Sequence, residues 1–431
     1  IFAVESAVNE LAHKMGMDPV KVKEMNMPVE GGPLPGYPDV PYAQSCSMDR
    51  CMARAKEMMD WDSKYPCRDM GNGKVRGVGV AMAMQGSSIA GVDVGGADIK
   101  LNEDGSYTLA LGCTDMGTGC DTVMAQIAAD CLNTPMDNIV VFSVDTDISP
   151  YDSGSYASAT TYTTGVAVMK ACEELKKKIC KLGAEMMEVD ERKVDFDGSC
   201  VFYDETLEIS DGADGNAAGH MTDAEEGYSV DMDAISSENA QKKVSLEDIA
   251  LKSTFFNNIE LQVVKQHSSP ISPPPFMVGM AEVEVDTETG SVDVLDYVAV
   301  VDCGTPINPN LARVQTEGGI AQGIGMALWE DVQYTDKGKI RNNSFMQYKI
   351  PTRQDIGNIR VDFECSYEKS GPFGAKSIGE LVIDTPCPAL AEAIYNATGV
   401  RLTELPMTPE KIAMEILKNR ESIRSGTKVE E

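Results

Sequence analysis

One carboxylate in the sequence stands in a setting that suits proton transfer. Glu380 lies between Ile378-Gly379 and Leu381-Val382-Ile383, inside the glycine-containing stretch 371–381. Apolar surroundings disfavour a carboxylate's charge and turn it into a usable proton acceptor near neutrality. Two other uses stay open for it: an ion pair with Lys376, or a carboxylate at a helix start. A second stretch, 112–122, reads Gly-Cys-Thr-Asp-Met-Gly-Thr-Gly-Cys-Asp-Thr and joins a predicted strand to a predicted helix. Its glycines let a ligand approach the backbone, and a helix start offers unpaired N–H groups to phosphate oxygens. A plain tight turn is the alternative. The stretch is neither a P-loop, lacking Gly-Lys-Ser/Thr, nor a dinucleotide fingerprint, lacking the third glycine. A third stretch, 152–161, crowds Ser153, Ser155, Ser158, Thr160 and Thr161 before a long helix. These hydroxyls can cap the helix or bind a polar cofactor. The fourth, 315–325, places four glycines in a predicted helix, each costing about 1 kcal/mol relative to alanine. It reads best as a tightly packed helix crossing, with Gln322 able to donate to and accept from a heterocycle.

The elements that must position these residues follow from periodicity and punctuation. A helix is predicted over 1–15, with Val4, Ala7, Val8, Leu11 and Met15 at helical spacing, and a second runs from Asp18-Pro19 to Asn26. A Pro/Gly-rich connector, 28–41, leads to a helix over 47–60. Strands are predicted at 77–84, 97–101, 107–112, 139–144, 255–264, 277–285 and 292–302. Further helices are predicted at 120–132, 164–187, 311–328, 388–397 and 409–420, with Pro388 and Pro409 in first turns and Gly399 as a stop. Strand and helix blocks mix without strict alternation, which points to an α+β fold. The divisions expected are 1–74, a helical and connector segment; 75–254; and 255–431, which carries Glu380. Residues 204–241 are rich in Asp and Glu among Gly, Ala and Ser, and read as a surface insertion with no catalytic role.

Bulk properties narrow the partners. Lys and Arg number 37 against 68 Asp and Glu, a formal net charge of −31. That field repels nucleic acid and anionic membrane surfaces. No apolar run reaches the roughly 18 residues of a membrane span. The 12 cysteines are scattered with no C-x-x-C pair, and only 3 histidines occur, so no protein-ligated zinc or iron site is expected. Without a signal pattern at the N-terminus, the thiols read as those of a reduced, cytoplasmic enzyme.

Taken together and in this order, the four stretches resemble the molybdenum hydroxylases of the xanthine dehydrogenase and aldehyde oxidase type. Phe2-Ala3-Val4-Glu5 is similar to the segment after that family's Gly-x-Pro-Gln motif, and 301–304, 307–309 and 315–322 resemble a further block. Gly374-Ala375-Lys376 through Gly379-Glu380 is the most specific match. The resemblance implies the C-terminal portion of an α+β molybdopterin-binding domain, with molybdenum held by the pterin dithiolene and no protein ligand. It implies a cytosine dinucleotide form of the cofactor, bound by Gly117, Thr118, Gly119, Cys120, Asp121, Ser155, Tyr156, Ala157, Ser158, Thr160, Gln322 and Lys376. Glu380 would be the buried catalytic base that activates a water-derived oxygen against an sp² carbon of a purine or related aza-heterocycle, a step of purine catabolism. Electrons would pass to [2Fe-2S] and FAD centres on an iron–sulfur subunit and an FAD subunit. An N-terminal half or separate subunit would complete the site. Alternatives within the family are nicotinate, aldehydes or aromatic thioesters; the alternative outside it is a non-catalytic assembly subunit of the same fold. Two departures stand out. Thr118 replaces the glutamine of the family's Met-Gly-Gln-Gly, and no phenylalanine occurs over 84–88, where a purine-stacking ring would fall.

Overall fold

The long apolar runs at 74–84, 276–286 and 292–302 have both faces to bury, and the fold supplies a helical layer for each. In the computed structural model, which describes residues 1–37, 39–143, 145–207, 242–257 and 259–425, the chain opens with four helices. These are α1 (Phe2–Lys14), α2 (Pro19–Asn26), α3 (Met48–Met59) and α4 (Trp61–Lys64). Then come β1 (Cys67–Gly71), β2 (Lys74–Met84), β3 (Gly95–Leu101), β4 (Tyr107–Leu111), α5 (Cys120–Leu132), β5 (Ile139–Ser143) and α6 (Gly165–Met187). Three short strands, β6 (Val194–Phe196), β7 (Cys200–Tyr203) and β8 (Lys243–Ser245), form a small sheet before α7 (Leu246–Leu251). The chain continues with β9 (Gln262–His267), β10 (Phe276–Asp286), β11 (Val292–Asp302), α8 (Pro309–Leu328), β12 (Asn358–Phe363), α9 (Pro386–Thr398) and α10 (Pro409–Ser425).

The larger sheet has the order β1-β2-β10-β11-β12, antiparallel except for the parallel β11–β12 pair. Alternation along β11 sends Val298 and Val300 toward Met48, Met52 and Trp61, and sends Tyr297, Ala299 and Val301 toward the α8–α9 side. Helix α9 lies directly on β2: a Cβ at Gly79 would stand 2.1 Å from the Ala389 carbonyl oxygen. The second sheet, β5-β4-β3-β9, buries Ile99, Leu109 and Leu111 against α5 and α6 and leaves Val140 and Val264 exposed. The two larger sheets each draw strands from distant parts of the sequence, so the divisions expected at 75 and 255 do not separate them. β2 joins strands from beyond 276, and β9 joins strands from before 112.

Helix α1 reverses the expected orientation. Val4, Leu11 and Met15 are exposed, while Glu5 and Asn9 are buried. The reason lies in β2, which β1 covers only as far as Gly77. Beyond it, the edge groups of β2 find side chains instead: Met82 N–H donates to Glu5 (2.6 Å), Asn9 donates to the Val80 carbonyl (3.2 Å), and Asn396 donates to the Val78 carbonyl (2.7 Å). A buried sheet edge needs such partners, and a polar helix face supplies them.

Other differences also have local causes. The strand expected at 255–264 begins only at Gln262, because Ser245 caps α7 and the winding continues through 252–257, which leaves Phe255 and Phe256 exposed. Edge strand β1 is largely solvated and carries no apolar alternation to reveal it, whereas β12 does alternate, with Ile359, Val361 and Phe363 packed against the core, and was overlooked. Residues 208–241, most of the acidic segment, lie outside the described residues. The glycine-rich α8 does make a close crossing: a Cβ at Gly319 would meet Val382 at 2.3 Å, and one at Gly323 would meet Pro386 at 2.7 Å. Among the described residues no helix is long and apolar enough to cross a membrane.

One buried ion pair fixes the segment that carries Glu380. Lys376 Nζ lies 3.0 Å from Asp302 at the end of β11 and donates to the Ser45 carbonyl at 3.1 Å, with both side chains wholly buried. Lys376 therefore pairs with Asp302, not with Glu380, and its ammonium is unavailable to a cofactor. Breaking a buried pair leaves one charge uncompensated, at a cost of about 3–5 kcal/mol. Urea unfolding followed by tryptophan fluorescence should show Lys376→Met destabilised by about that amount; a loss below about 1 kcal/mol would contradict the role given to the pair.

His267, at the end of β9, accepts a hydrogen bond from Lys170 at 2.9 Å through Nδ1. Burial and the Lys170 ammonium push its pKa down to about 4. It folds neutral, so its contribution to stability is full above its ordinary value near 6.5 and is lost as pH falls toward 4. Between pH 7 and 5 the stability of His267→Gln should fall less steeply than that of the native chain. Parallel slopes would rule this contribution out.

Candidate active site

Four stretches meet around a cavity of about 290 Å³. One wall is the turn before α5, with Met116, Thr118 and Cys120. A second is the 155–161 turn before α6. A third is the β11–α8 connection with Thr305, Asn308, Leu311 and Gln315, and the last is the 375–380 segment.

The turn before α5 closes on a carboxylate of its own. Asp115 accepts the amides of Gly117 at 2.8 Å and Gly119 at 3.2 Å, and both glycines have positive φ. Gly117 and Gly119, which the resemblance assigns to the cofactor, thus have their amides already hydrogen-bonded within the turn. Helix α5 itself starts at Gly119 without a side-chain cap, so its first-turn amides remain a positive end facing the cavity wall. Helix α8, by contrast, is capped by Asn308, which accepts from Leu311 N–H at 3.0 Å and donates to Gln126 at 3.0 Å.

The 155–161 turn is strained. Ala157 and Ser158 both take left-handed backbone, φ 44° and 57°, and so does the neighbouring Ser88 at φ 79°. Such conformations cost non-glycine residues free energy and persist only when the surroundings impose them. Here Ser88 N–H donates to the Ala157 carbonyl at 3.0 Å, and Ser155 bonds Thr160 at 2.8 Å. Ser158 then reaches Glu380 twice: its hydroxyl accepts the Glu380 amide at 2.9 Å and donates to Oε2 at 3.1 Å.

The 374–380 segment is zipped onto the end of β11. Lys376 N–H donates to the Cys303 carbonyl (2.8 Å) and Thr305 N–H to the Gly374 carbonyl (2.9 Å). Ser87 accepts Ser377 N–H at 3.0 Å, and next to it Gln85 donates to Glu380 Oε2 at 2.7 Å. Glu380 is exposed at the cavity mouth, not buried as expected. The segment is held both through its backbone and through the Lys376 and Ser377 side chains, while the Glu380 carboxylate stays exposed.

Thr118, Cys120, Ser155, Ser158, Thr160, Lys376 and Glu380 thus line one cavity, Lys376 with its side chain turned into the core. Gly117, Gly119, Asp121, Tyr156 and Ala157 belong to the same turns without lining it; Asp121 accepts from Ser143 at 3.1 Å, and Tyr156 is exposed. Gln322 does not reach the cavity, whereas Gln315, two helical turns earlier on α8, does. Sequence reasoning missed Gln315, Asn308 and Gln85. The Asn308-Pro309 helix start was a usable signal for Asn308, while nothing local marked Gln85.

The wall chemistry suits a large polar anion held by hydroxyls and helix amides. Cys303 on the cavity wall is buried, and burial pushes its thiol up to about 12, so it stays protonated and is no ready metal ligand. Among the described residues, Asp115, Cys120 and Asp121 bring donor atoms within 4.8 Å of one another. Asp115 and Asp121 already accept the bonds described above. A metal carried by its own organic ligand fits this donor set better than a protein-ligated one.

Comparison with known proteins agrees with that geometry. Residues 54–357 match the family model for the molybdopterin cofactor-binding domain. The chain is 33% identical over 427 residues to the probable hypoxanthine oxidase XdhD of Escherichia coli strain K12, covering 95% of this chain and 40% of that protein. It is 29% identical over 421 residues to the putative xanthine dehydrogenase molybdenum-binding subunit XdhA of the same strain, covering 96% of this chain and 51% of that one. Quinoline 2-oxidoreductase from Pseudomonas putida 86 shares the fold, with a TM-score of 0.80 at 21% identity over 97% of this chain and 52% of that structure. The chain spans about half the length of these relatives, or less. It is a molybdopterin-binding member of the xanthine dehydrogenase family.

Proposed function

We propose that this chain is part of the catalytic subunit of a molybdenum hydroxylase that inserts a water-derived oxygen at an sp² carbon of a purine or related aza-heterocycle. The observation that carries the reading is Glu380, a carboxylate held at the mouth of a cavity walled by hydroxyls and an uncapped helix start. A bound molybdenum–pterin group would supply the two-electron acceptor for the oxidation. The amides opening α5 and the hydroxyls of Ser155, Thr160 and Thr161 would hold its polar parts, in the cytosine dinucleotide form. Glu380 takes the proton of the attacking water, a general-base role open to a carboxylate within hydrogen-bond reach of that water. Ile307, Leu311 and Val123 add apolar surface to the cavity lining. Gln315 offers a donor and an acceptor to a heterocycle, the role expected of Gln322.

Further polypeptides complete the account. An N-terminal half or separate subunit would cover the solvent side of Glu380, and an iron–sulfur subunit and an FAD subunit would take the electrons. A purine leads the substrate classes because XdhD and XdhA are named for hypoxanthine and xanthine. Nicotinate, aldehydes and aromatic thioesters come next, since residues 84–88 hold no ring to stack on a purine. The exposure of Glu380 is the one observation that favours a non-catalytic assembly subunit. Its fixed position argues against that, because a merely solvated carboxylate needs no hold on one oxygen.

Replacing Glu380 with Gln keeps the shape and removes the base. In the assembled, cofactor-loaded complex, hypoxanthine turnover by Glu380→Gln should fall by about 10²–10⁴-fold with molybdenum and pterin content unchanged. Turnover within a few-fold of the native complex would refute Glu380 as the base.

A further inference from the structure

The stretch that lacks a stacking phenylalanine holds an amide aimed at Glu380. Gln85 Nε2 lies 2.7 Å from Glu380 Oε2, and a carboxylate only accepts, so the NH₂ end must face it. That orientation leaves the Gln85 carbonyl oxygen enclosed, with no hydrogen-bond partner among the described residues. An unpaired enclosed acceptor is unfavourable, and turning the amide over would place oxygen against carboxylate. The amide is therefore committed to Glu380.

Ser158 completes the arrangement from the other side. Its hydroxyl donates to the same Oε2 while accepting the Glu380 amide, so side chain and backbone of one residue are tied to one hydroxyl. The strained backbone of Ala157 and Ser158, braced by Ser88, is what brings that hydroxyl there. Both donors meet Oε2, and neither meets Oε1, which has no hydrogen-bond partner among the described residues.

We propose that Gln85 and Ser158 are positioning residues that fix the Glu380 rotamer and reserve Oε1 as the oxygen that receives the proton. The proposal rests on the reading of Glu380 as the base. Two donors on one oxygen fix the orientation of the carboxylate and leave the lone pairs of the other oxygen free. Gln85 thus acts on substrate oxidation through Glu380 and touches neither cofactor nor substrate in this account.

The test uses Gln85→Met, close in size but without a donor, in the assembled, cofactor-loaded complex. Loss of one charge-assisted bond should lower kcat by about tenfold or more, with KM for hypoxanthine within twofold and molybdenum and pterin content unchanged. An independent readout is infrared spectroscopy of the assembled, metal-free complex. The carboxylate bands that Glu380→Gln removes should shift in frequency in Gln85→Met, since Oε2 has lost one donor. Ser158→Ala should move kcat and the bands the same way, which separates positioning from a packing defect at Gln85. If Glu380→Gln is inactive while Gln85→Met keeps the native kcat and carboxylate bands, the clamp is wrong and the base stands. If Gln85→Met instead loses cofactor, Gln85 is a cofactor contact and the positioning role is overturned. If Glu380→Gln stays active, the underlying reading fails, whatever Gln85→Met does.

Discussion

The ammonium of Lys376 is wholly buried inside the protein, and its partners decide where the walls of the cavity stand. Asp302, the last residue of β11, holds it at 3.0 Å, and the Ser45 carbonyl and the face of the Phe276 ring complete its surroundings. Asp302 in turn accepts the amides of Ser47 and Gly304, both at 2.9 Å, and the hydroxyl of Ser366 at 2.7 Å. Burying two charges is unfavourable unless nearly every lone pair and proton is used, and here nearly all are. One pair therefore ties the start of α3, the end of the larger sheet, residue 366 and the Glu380 segment to a common point. The segment cannot slide along the sheet without exposing an unpaired charge.

Rigidity at that point contrasts with strain nearby. Asp60, Asn133 and Glu188 also have positive φ, but each ends a helix, where left-handed backbone is ordinary. Ser88, Ala157 and Ser158 end no helix, and they are joined to one another and to Glu380 through the Ser88–Ala157 and Glu380–Ser158 bonds. Strain in non-glycine residues persists when its surroundings over-determine it. The surroundings here are the zipped 374–380 segment and the Ser88–Ala157 bond. The scaffold is thus stiff enough to impose unfavourable backbone where a side chain must be held in one place.

Much of this was legible in the sequence wherever local chemistry is decisive. The helix over 120–132 and the strand over 292–302 fall where predicted, because a glycine-containing turn stands just before each, at 117–119 and 287–290. The glycines of α8 announced a close crossing, and Val382 and Pro386 stand there. What periodicity cannot convey is which side of a helix faces in. Spacing revealed the stripes of α1, but the unpaired edge of β2, more than 70 residues away, decided that Glu5 and Asn9 go inside. Lys376 misled through adjacency: four residues from Glu380 in sequence, it belongs to Asp302, 74 residues earlier. Gln322 and Gln315 lie on the same side of α8 at a separation of seven residues, and only the tertiary placement of the helix start selects Gln315. Gln85 carries no motif at all. Its meaning comes from a partner 295 residues away.

The central claim is that the ion pair, the strained turn and the start of α5 together define a cofactor site with Glu380 at its reactive end. The most direct measurement is a crystal structure of the assembled complex loaded with its molybdenum cofactor. The account predicts cofactor contacts from the 155–161 turn and the first turn of α5, Glu380 bordering the metal end, and no protein atom bonded to the metal. A cofactor seated away from these segments, or Glu380 directed away from it, would contradict the account.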